Sequence, residues 1–461
     1  MSELINFLAR KRIVAPTAGF NAGKLNKNLF DWQVPITHWN LQKGRSAIFA
    51  NCGLGKTLMQ LVWAWMVYRH TDQNVLILTP LAVAKQTKAE GVKFGIQVNV
   101  CRRSADIQPG INVLNYEMLE DFDVSGFTGI VLDESSILKN STGKTRKLIT
   151  DKFADTPFKL CCSATPAPND YIELGTHAEF LGVMNAPEML ATFFVHDGGE
   201  TQKWRLKHHA EEEFWRWVCS WAVMLRKPSD IGFSDKLFTL PAIKRHQITV
   251  ASSVPKGRLL PVEVKTLNDR RVARKDSISL RVERAVYLAN TVHKSEPFLV
   301  WCDLNAESEM LASLIPDAVQ ITGSDSFDFK TKAMEDFTNG KVRCIVSKPS
   351  ICGYGMNWQH CAAMVFVGLS DSFEQVYQAE HRCWRYGQKR TVNSYMITSE
   401  AEGAVVHNQE RKLKDFDNMS IRMIEYMKFE MQRELGVSRM NRVEYEPTQG
   451  MIIPGWLKEK A

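Results

Sequence analysis

Short apolar runs that end in polar or glycine-rich turns recur along the chain, and stretches with helical spacing separate them. Residues 74–80, 111–117, 129–136 and 158–162 are such runs, and a fifth, beginning at Ile48, feeds a glycine turn. A run that is apolar throughout reads as a strand buried on both faces, the signature of a parallel sheet. Residues 58–68 and 81–94 fill the gaps as helices. The pattern therefore predicts an α/β doubly wound parallel sheet with polar groups collected at the strands' carboxyl ends.

Residues 170–245 read as mostly helical and carry Trp204, Trp215, Trp217 and Trp221, which at helical spacing fit a core better than a base-stacking platform. A second β/α series follows. Val282, Val286, Ala289 and Val292 form a helical stripe, and 297–302, 342–346 and 363–367 are further buried strands. A helix over 306–315 and a short strand and turn over 319–323 lie between them. Residues 404–435 form a long amphipathic helical stretch. The expected organisation is a basic arm (1–28), a first lobe (29–245) with a helical insertion at about 170–240, a second lobe (246–435) and a loose tail (436–461).

Composition narrows the class. With 461 residues, 44% hydrophobic and 24% charged, the chain has an ordinary globular make-up and enough length for two or three cores. Ten cysteines without a Cys-x-x-Cys pair or zinc spacing read as scattered buried thiols in a reducing, cytoplasmic setting. No apolar stretch is long enough to span a bilayer, and no signal-peptide pattern opens the chain. The net charge of +7 leans toward a polyanionic partner. A basic run over 256–275 adds to it, a solvated face and a phosphate contact fitting it equally.

Candidate chemistry sits at the turns. Ala50-Asn51-Cys52-Gly53-Leu54-Gly55-Lys56-Thr57 joins a strand to a helix. Its glycines let backbone N–H groups close on phosphate oxygens at a helix N-terminus, Lys56 reaches phosphate, and Thr57 suits Mg²⁺. Asp133-Glu134 ends a hydrophobic strand, fitting a Mg²⁺ ligand and a water-activating base. Gln33 offers the donor and acceptor that adenine recognition needs, although a lone glutamine fits a surface position as well. Gly353 and Gly355 mark a turn suited to close backbone approach, and Arg382 and Arg385 share a helix face.

In this order the motifs resemble superfamily two helicase-type ATPases, most closely the Swi/Snf-like branch of DNA translocases, over residues 29–432. The resemblance implies two RecA-like lobes with ATP and Mg²⁺ between them, Lys56, Asp133, Glu134, Gln378, Arg382 and Arg385 being catalytic. It implies that Gln33, residues 50–57, Gly353 and Gly355 hold the nucleotide, with Thr57 and Asp133 on the metal. It implies nucleic-acid contacts at Thr79, Pro80, Asn115, Tyr116, Gly353 and Asn357. Ser163-Ala164-Thr165-Pro166, residues 225–241, Trp301-Cys302 and residues 378–388 match further motifs of that branch. The second motif departs from the pattern, reading Asp133-Glu134-Ser135-Ser136 where the family has Asp-Glu-Ala-His; this removes the histidine thought to couple hydrolysis to the third motif. Large insertions typical of eukaryotic remodellers are lacking, which resembles compact bacterial or phage forms. Double-stranded DNA is the implied partner, with a loading protein as a possible second one. A strand-separating helicase acting on DNA or RNA and a non-translocating ATPase switch that scaffolds proteins remain open as alternatives.

Overall fold

The computed structural model describes residues 15–80, 83–139, 143–196, 204–251, 274–353, 355–370 and 372–434. Residues 1–14 of the arm, residues 256–273 of the basic run, Tyr354 and the expected tail lie outside them.

Lobe one is built on a parallel sheet of seven strands among the described residues, β1 (Arg45–Ala50), β2 (Asn74–Thr79), β3 (Val98–Val100), β4 (Ile111–Asn115), β5 (Phe127–Asp133), β6 (Phe158–Ser163) and β9 (Ala222–Leu225). Their order is β3-β4-β2-β5-β6-β1-β9, with Ala47 opposite both Cys161 and Ala222. Helices α1 (Gln33–Lys43), α2 (Lys56–Thr71) and α3 (Ala84–Phe94) connect and cover it. β7 (Phe194–His196) and β8 (Trp204–Leu206) form a separate antiparallel pair.

Two expectations shift here. The segment expected as a helical insertion contributes a strand of the main sheet, β9, which caps the β1 edge. The described part of the arm, 15–28, is anchored on the first lobe, while Lys24 and Lys27 stay exposed. Ala15 and Leu25 are buried, and Ala18, Gly19 and Phe20 donate backbone hydrogen bonds to Lys43, Gln42 and Leu41. Trp215, Trp217 and Trp221 are fully buried in the core, as their helical spacing suggests.

Lobe two carries a second parallel sheet, of six strands among the described residues. These are β10 (Ile243–Val250), β11 (Phe298–Cys302), β12 (Ala318–Ile321), β13 (Cys344–Ser347), β14 (Ala363–Val367) and β15 (Val392–Ser399), in the order β10-β15-β14-β11-β13-β12. Its first strand starts at Ile243, slightly before the expected boundary. Helices α4 (Phe327–Thr338), α5 (Phe373–Glu380) and α6 (Gly403–Glu434) matter below. Both sheets are of the RecA-like kind.

Arg274, at the end of the basic run, is buried and held by Asp303, Glu402 and the Leu369 carbonyl. It is part of the lobe-two core. All ten cysteines are free and buried. No described helix is long and apolar enough to cross a membrane.

The lobes are not separate cores. Phe373, Tyr377, Phe416 and Met423, from α5 and α6, belong to the same continuous hydrophobic cluster as the lobe-one sheet. Helix α6 also lies on the lobe-one helix Glu211–Cys219, with Arg226 pairing Asp417 at 3.0 Å and Arg422 pairing Glu211 at 3.7 Å.

Candidate active site between the lobes

Three neighbouring strands of lobe one deliver its chemistry to one sheet edge. β1 runs into the glycine loop, β5 ends at Asp133, and β6 ends at Ser163. Adjacent strands are about 4.8 Å apart, so loop and carboxylates stand roughly 10 Å apart along that edge.

The loop is shaped for close approach. Gly53 has φ +83°, and a Cβ there would stand 2.7 Å from the backbone nitrogen of Tyr386 in lobe two. α2 begins at Lys56, so its unpaired N–H groups face the loop mouth. Lys56 Nζ donates to the Ala50 carbonyl at 2.7 Å and the Asn51 carbonyl at 3.4 Å, which keeps the ammonium at that mouth. Thr57, on the first turn, lines the same cleft. Gln33 is fully buried beneath it: its Nε2 donates to the Leu54 carbonyl at 3.0 Å and its Oε1 accepts from Phe30 N at 3.0 Å. Both halves of its amide thus tie the loop to the segment before α1.

The paired carboxylates occupy different environments. Asp133 is buried, and its Oδ1 accepts from Gln60 Nε2 at 2.7 Å. Glu134 turns out of the strand in the left-handed region, φ +56°, which places its carboxylate in the cleft. Burial raises both carboxyls above their usual range. For Glu134 the rise is to about 7, with Lys56 and Arg382 opposing it and Asp133 and Glu374 adding to it. Ser135 and Ser136 are buried, and Ser135 Oγ lies 3.1 Å from His177 Nε2, whose ring burial holds down to about 4 and so neutral.

Lobe two closes the other wall through α5 and the turn after it. Arg382 is buried, and its guanidinium donates to the Gln378 carbonyl and to Gln378 Oε1, both at 2.9 Å. Arg385 donates to the Met356 carbonyl at 3.0 Å, and desolvation beside Arg382 lowers its pKa to about 10. Gln378 meets lobe one directly, with Nε2 donating to Glu134 Oε2 at 3.4 Å and Cys52 Sγ 3.6 Å from its Oε1. Tyr377 donates to Asn51 Oδ1 at 2.8 Å. The enclosed cleft measures about 400 Å³ and is lined by Lys56, Thr57, Asp133, Glu134, Arg382 and Arg385. Phe30 and Tyr386 lie at one end, where Phe238 stacks on Tyr386 at 5.0 Å between ring centres.

A second cavity, of about 430 Å³, lies on the other side of Glu134, between Pro80, Tyr116, Phe327, Ile351 and Glu374.

The residues expected to face nucleic acid do not stay together. Thr79 and Asn115 are buried, their side chains 3.5 Å apart, and the buried Tyr116 donates its hydroxyl to the Asp133 carbonyl at 2.8 Å. Thr79 and Asn115 join strand ends beneath the carboxylates, and Tyr116 also lines the second cavity. Pro80 lines the second cavity, whereas Asn357 lies in the nucleotide-sized cleft, its Oδ1 buried without a partner among the described residues. Gly355 lines that cleft with φ +83°, where a Cβ would stand 2.3 Å from Val83 of lobe one. Gly353 is packed against the Pro349 carbonyl and is not on the cleft wall. Ala50 is the buried end of β1. Sequence reasoning missed Tyr377, Lys139 and Glu374, whose contacts depend on where two distant segments meet.

This arrangement, a phosphate loop and paired carboxylates on one parallel-sheet lobe facing arginines from another, defines a two-lobed nucleotide-cleft fold. Residues 281–387 match the helicase conserved C-terminal domain. The SWI/SNF-related matrix-associated actin-dependent regulator of chromatin subfamily A-like protein 1 of Drosophila melanogaster is 25% identical over 409 residues, covering 80% of this chain and 52% of that relative. The chain therefore spans about half the length of the curated relative it matches. Both findings support a member of helicase superfamily two.

Proposed function

We propose that this protein is an ATP-dependent nucleic-acid motor that tracks along double-stranded DNA. The observation that carries the reading is the cleft itself, where Lys56, Thr57, Asp133 and Glu134 from one lobe face Arg382 and Arg385 from the other. ATP is the substrate that suits it: backbone N–H groups at the start of α2 and Lys56 take the phosphates, and the Phe30–Tyr386 end takes a planar base. Thr57 and Asp133 would hold Mg²⁺. No group of three or more carboxylate, histidine or cysteine ligands occurs among the described residues. A Mg²⁺ that takes most of its ligands from phosphate and water requires only one or two protein oxygens. A bound Mg²⁺ supplies charge neutralisation on the phosphates.

Glu134 orients the attacking water and takes its proton. Arg382 and Arg385 stabilise negative charge on the transferring phosphoryl group. Because these groups come from two lobes, hydrolysis requires closure, and product release reopens the cleft, a cycle that moves the protein along a strand. The choice of duplex DNA rests on the resemblance of residues 225–241 and 378–388 to translocases, and on the name of the Drosophila relative, a chromatin regulator.

The experiment compares ATP turnover with duplex DNA, single-stranded DNA, RNA and no nucleic acid, then pairs triplex displacement with separation of a forked duplex. Stimulation by duplex, falling steeply with salt, and triplex displacement with an intact fork are expected. Efficient fork separation, or stimulation by RNA alone, moves the protein to the helicase reading. Turnover indifferent to every nucleic acid favours a scaffolding switch.

A further inference from the structure

Glu374 is a buried carboxylate of lobe two whose partners are in lobe one. Its Oε1 accepts from Thr165 Oγ1 at 3.3 Å, in the turn after β6, and its Oε2 pairs with Lys139, in the turn after β5. Glu374 is 4% exposed and Thr165 is fully buried, whereas the Lys139 side chain is 35% exposed. The two lobe-one partners are 209 and 235 residues away in sequence, so only the folded, apposed lobes bring them to one carboxylate.

The position of Glu374 gives these contacts their consequence. It lies in the first turn of α5, where the helix dipole favours a negative charge. Gln378 follows four residues later on the same helix face, and Arg382 lies in the turn just beyond the helix end at Glu380. Gln378 meets Glu134 and Cys52, and Arg382 leans on Gln378. The helix is short and stiff, so whatever fixes its first turn sets the placement of Gln378 one turn later and of the turn that leaves the helix end. Thr165 and Lys139 each follow a strand whose end frames the cleft, so the contact joins both strand ends to the helix that leads into the two arginines.

We propose that Glu374 is a positioning residue for the hydrolysis assigned above: through Lys139 and Thr165 it registers α5 against lobe one, so that Gln378 and the arginines align with Glu134 only when the lobes are together. Glu374 is not among the residues that line the nucleotide-sized cleft. It acts through the helix that carries it, and it links the strand ends after β5 and β6 to closure. Glu374 also borders the second cavity together with Lys139 and Pro80, so a ligand entering there meets the same ion pair.

The test uses the full chain with saturating duplex DNA and measures kcat, the Kd of a fluorescent ATP analogue and thermal melting. The variants are Glu374→Gln, Lys139→Ala, Thr165→Val and the Glu374→Gln/Lys139→Ala pair. Misregistration of a reacting constellation costs on the order of 10- to 100-fold, so Glu374→Gln is expected to lose kcat by that range while Kd stays within about threefold of wild type. Lys139→Ala loses less, and the pair loses no more than Glu374→Gln alone, because the two residues act as one unit. Additive losses, a parallel rise in Kd, or normal kcat in Glu374→Gln overturns the proposal. If Glu374→Gln melts early, Lys139→Ala decides: its side chain is partly exposed, and an unchanged kcat there overturns the proposal. The inference rests on the cleft being an ATPase site. A wild-type chain without turnover overturns both, whereas normal turnover in the variants overturns this inference alone.

Discussion

Glu134 concentrates the local costs of the site. Its backbone stands at φ +56°, a region that a residue with a Cβ adopts at a cost of about 1 kcal/mol or more, and its carboxyl is lifted to about 7. A general base must be ionised to act, so kcat/KM should fall about tenfold per pH unit below pH 7. A pH profile checks this, and an acid limb near the ordinary value of 4.5 contradicts the burial account. The same shift has a stability sign. The folded carboxyl binds its proton more tightly than the unfolded one, so between 4.5 and about 7 stability declines as pH rises. Glu134→Gln, which carries no charge, should therefore melt higher than wild type at pH 8, by on the order of 1 kcal/mol, while turnover falls about 100-fold or more. Lower melting at that pH overturns the argument.

At the scale of elements, α5 and the turn after it bring the second lobe's charges to the first lobe's loop. Arg382 and Arg385 are bonded to carbonyls and to an amide, so phosphate oxygens can take the remaining donors. Replacing either by alanine should lower nucleic-acid-stimulated kcat by on the order of 10³–10⁵ with a much smaller change in nucleotide affinity. Surface ion pairs, by contrast, change such rates by about 1 kcal/mol at most. Both arginines turning over normally would remove them from the reaction. The glycine loop and the Asp133-Glu134 strand end were legible in the sequence, whereas Arg382 and Arg385, expected to share a helix face, lie in the turn after α5. Parallel strands are apolar on both faces, and loop chemistry is local. β9 was not legible, since four apolar residues after a tryptophan-rich helix read as its continuation. β10 and β15 pair at the edge of their sheet and mix polar with apolar positions, which weakens the pattern. The burial of Thr79, Asn115 and Tyr116 was not legible, because strand-end polar residues can face outward or knit neighbouring strands together, and sequence does not distinguish the two. The 374/378/382 spacing was visible, but partners more than 200 residues distant were not.

On the scale of the whole molecule, the two lobes share hydrophobic surface as well as a cleft. Phe416 of α6 is 5% exposed and lies 5.6 Å from Phe373 and 5.2 Å from Tyr377, ring to ring, within the lobe-one cluster. Truncating such a ring costs about 3–5 kcal/mol, so Phe416→Ala should lower thermal stability by that amount. Because Tyr377 is bonded to Asn51, the same change should also reduce kcat. A stable variant with full turnover would show that α6 merely leans on its neighbours.

Chain crosses from lobe one to lobe two near Arg226 and returns along α6, where Asp417 pairs with that same arginine. Two crossings fastened at one spot act as the pin of a hinge, and they leave rotation about it as the easy movement. Sliding of one lobe over the other would part α6 from the helix Glu211–Cys219 and break the Arg226–Asp417 pair, whereas swinging about that point keeps both. A rotation about that pin parts Lys85 and Arg102 of lobe one from Phe327 of lobe two, which they approach to 5.3 and 5.2 Å from its ring centre.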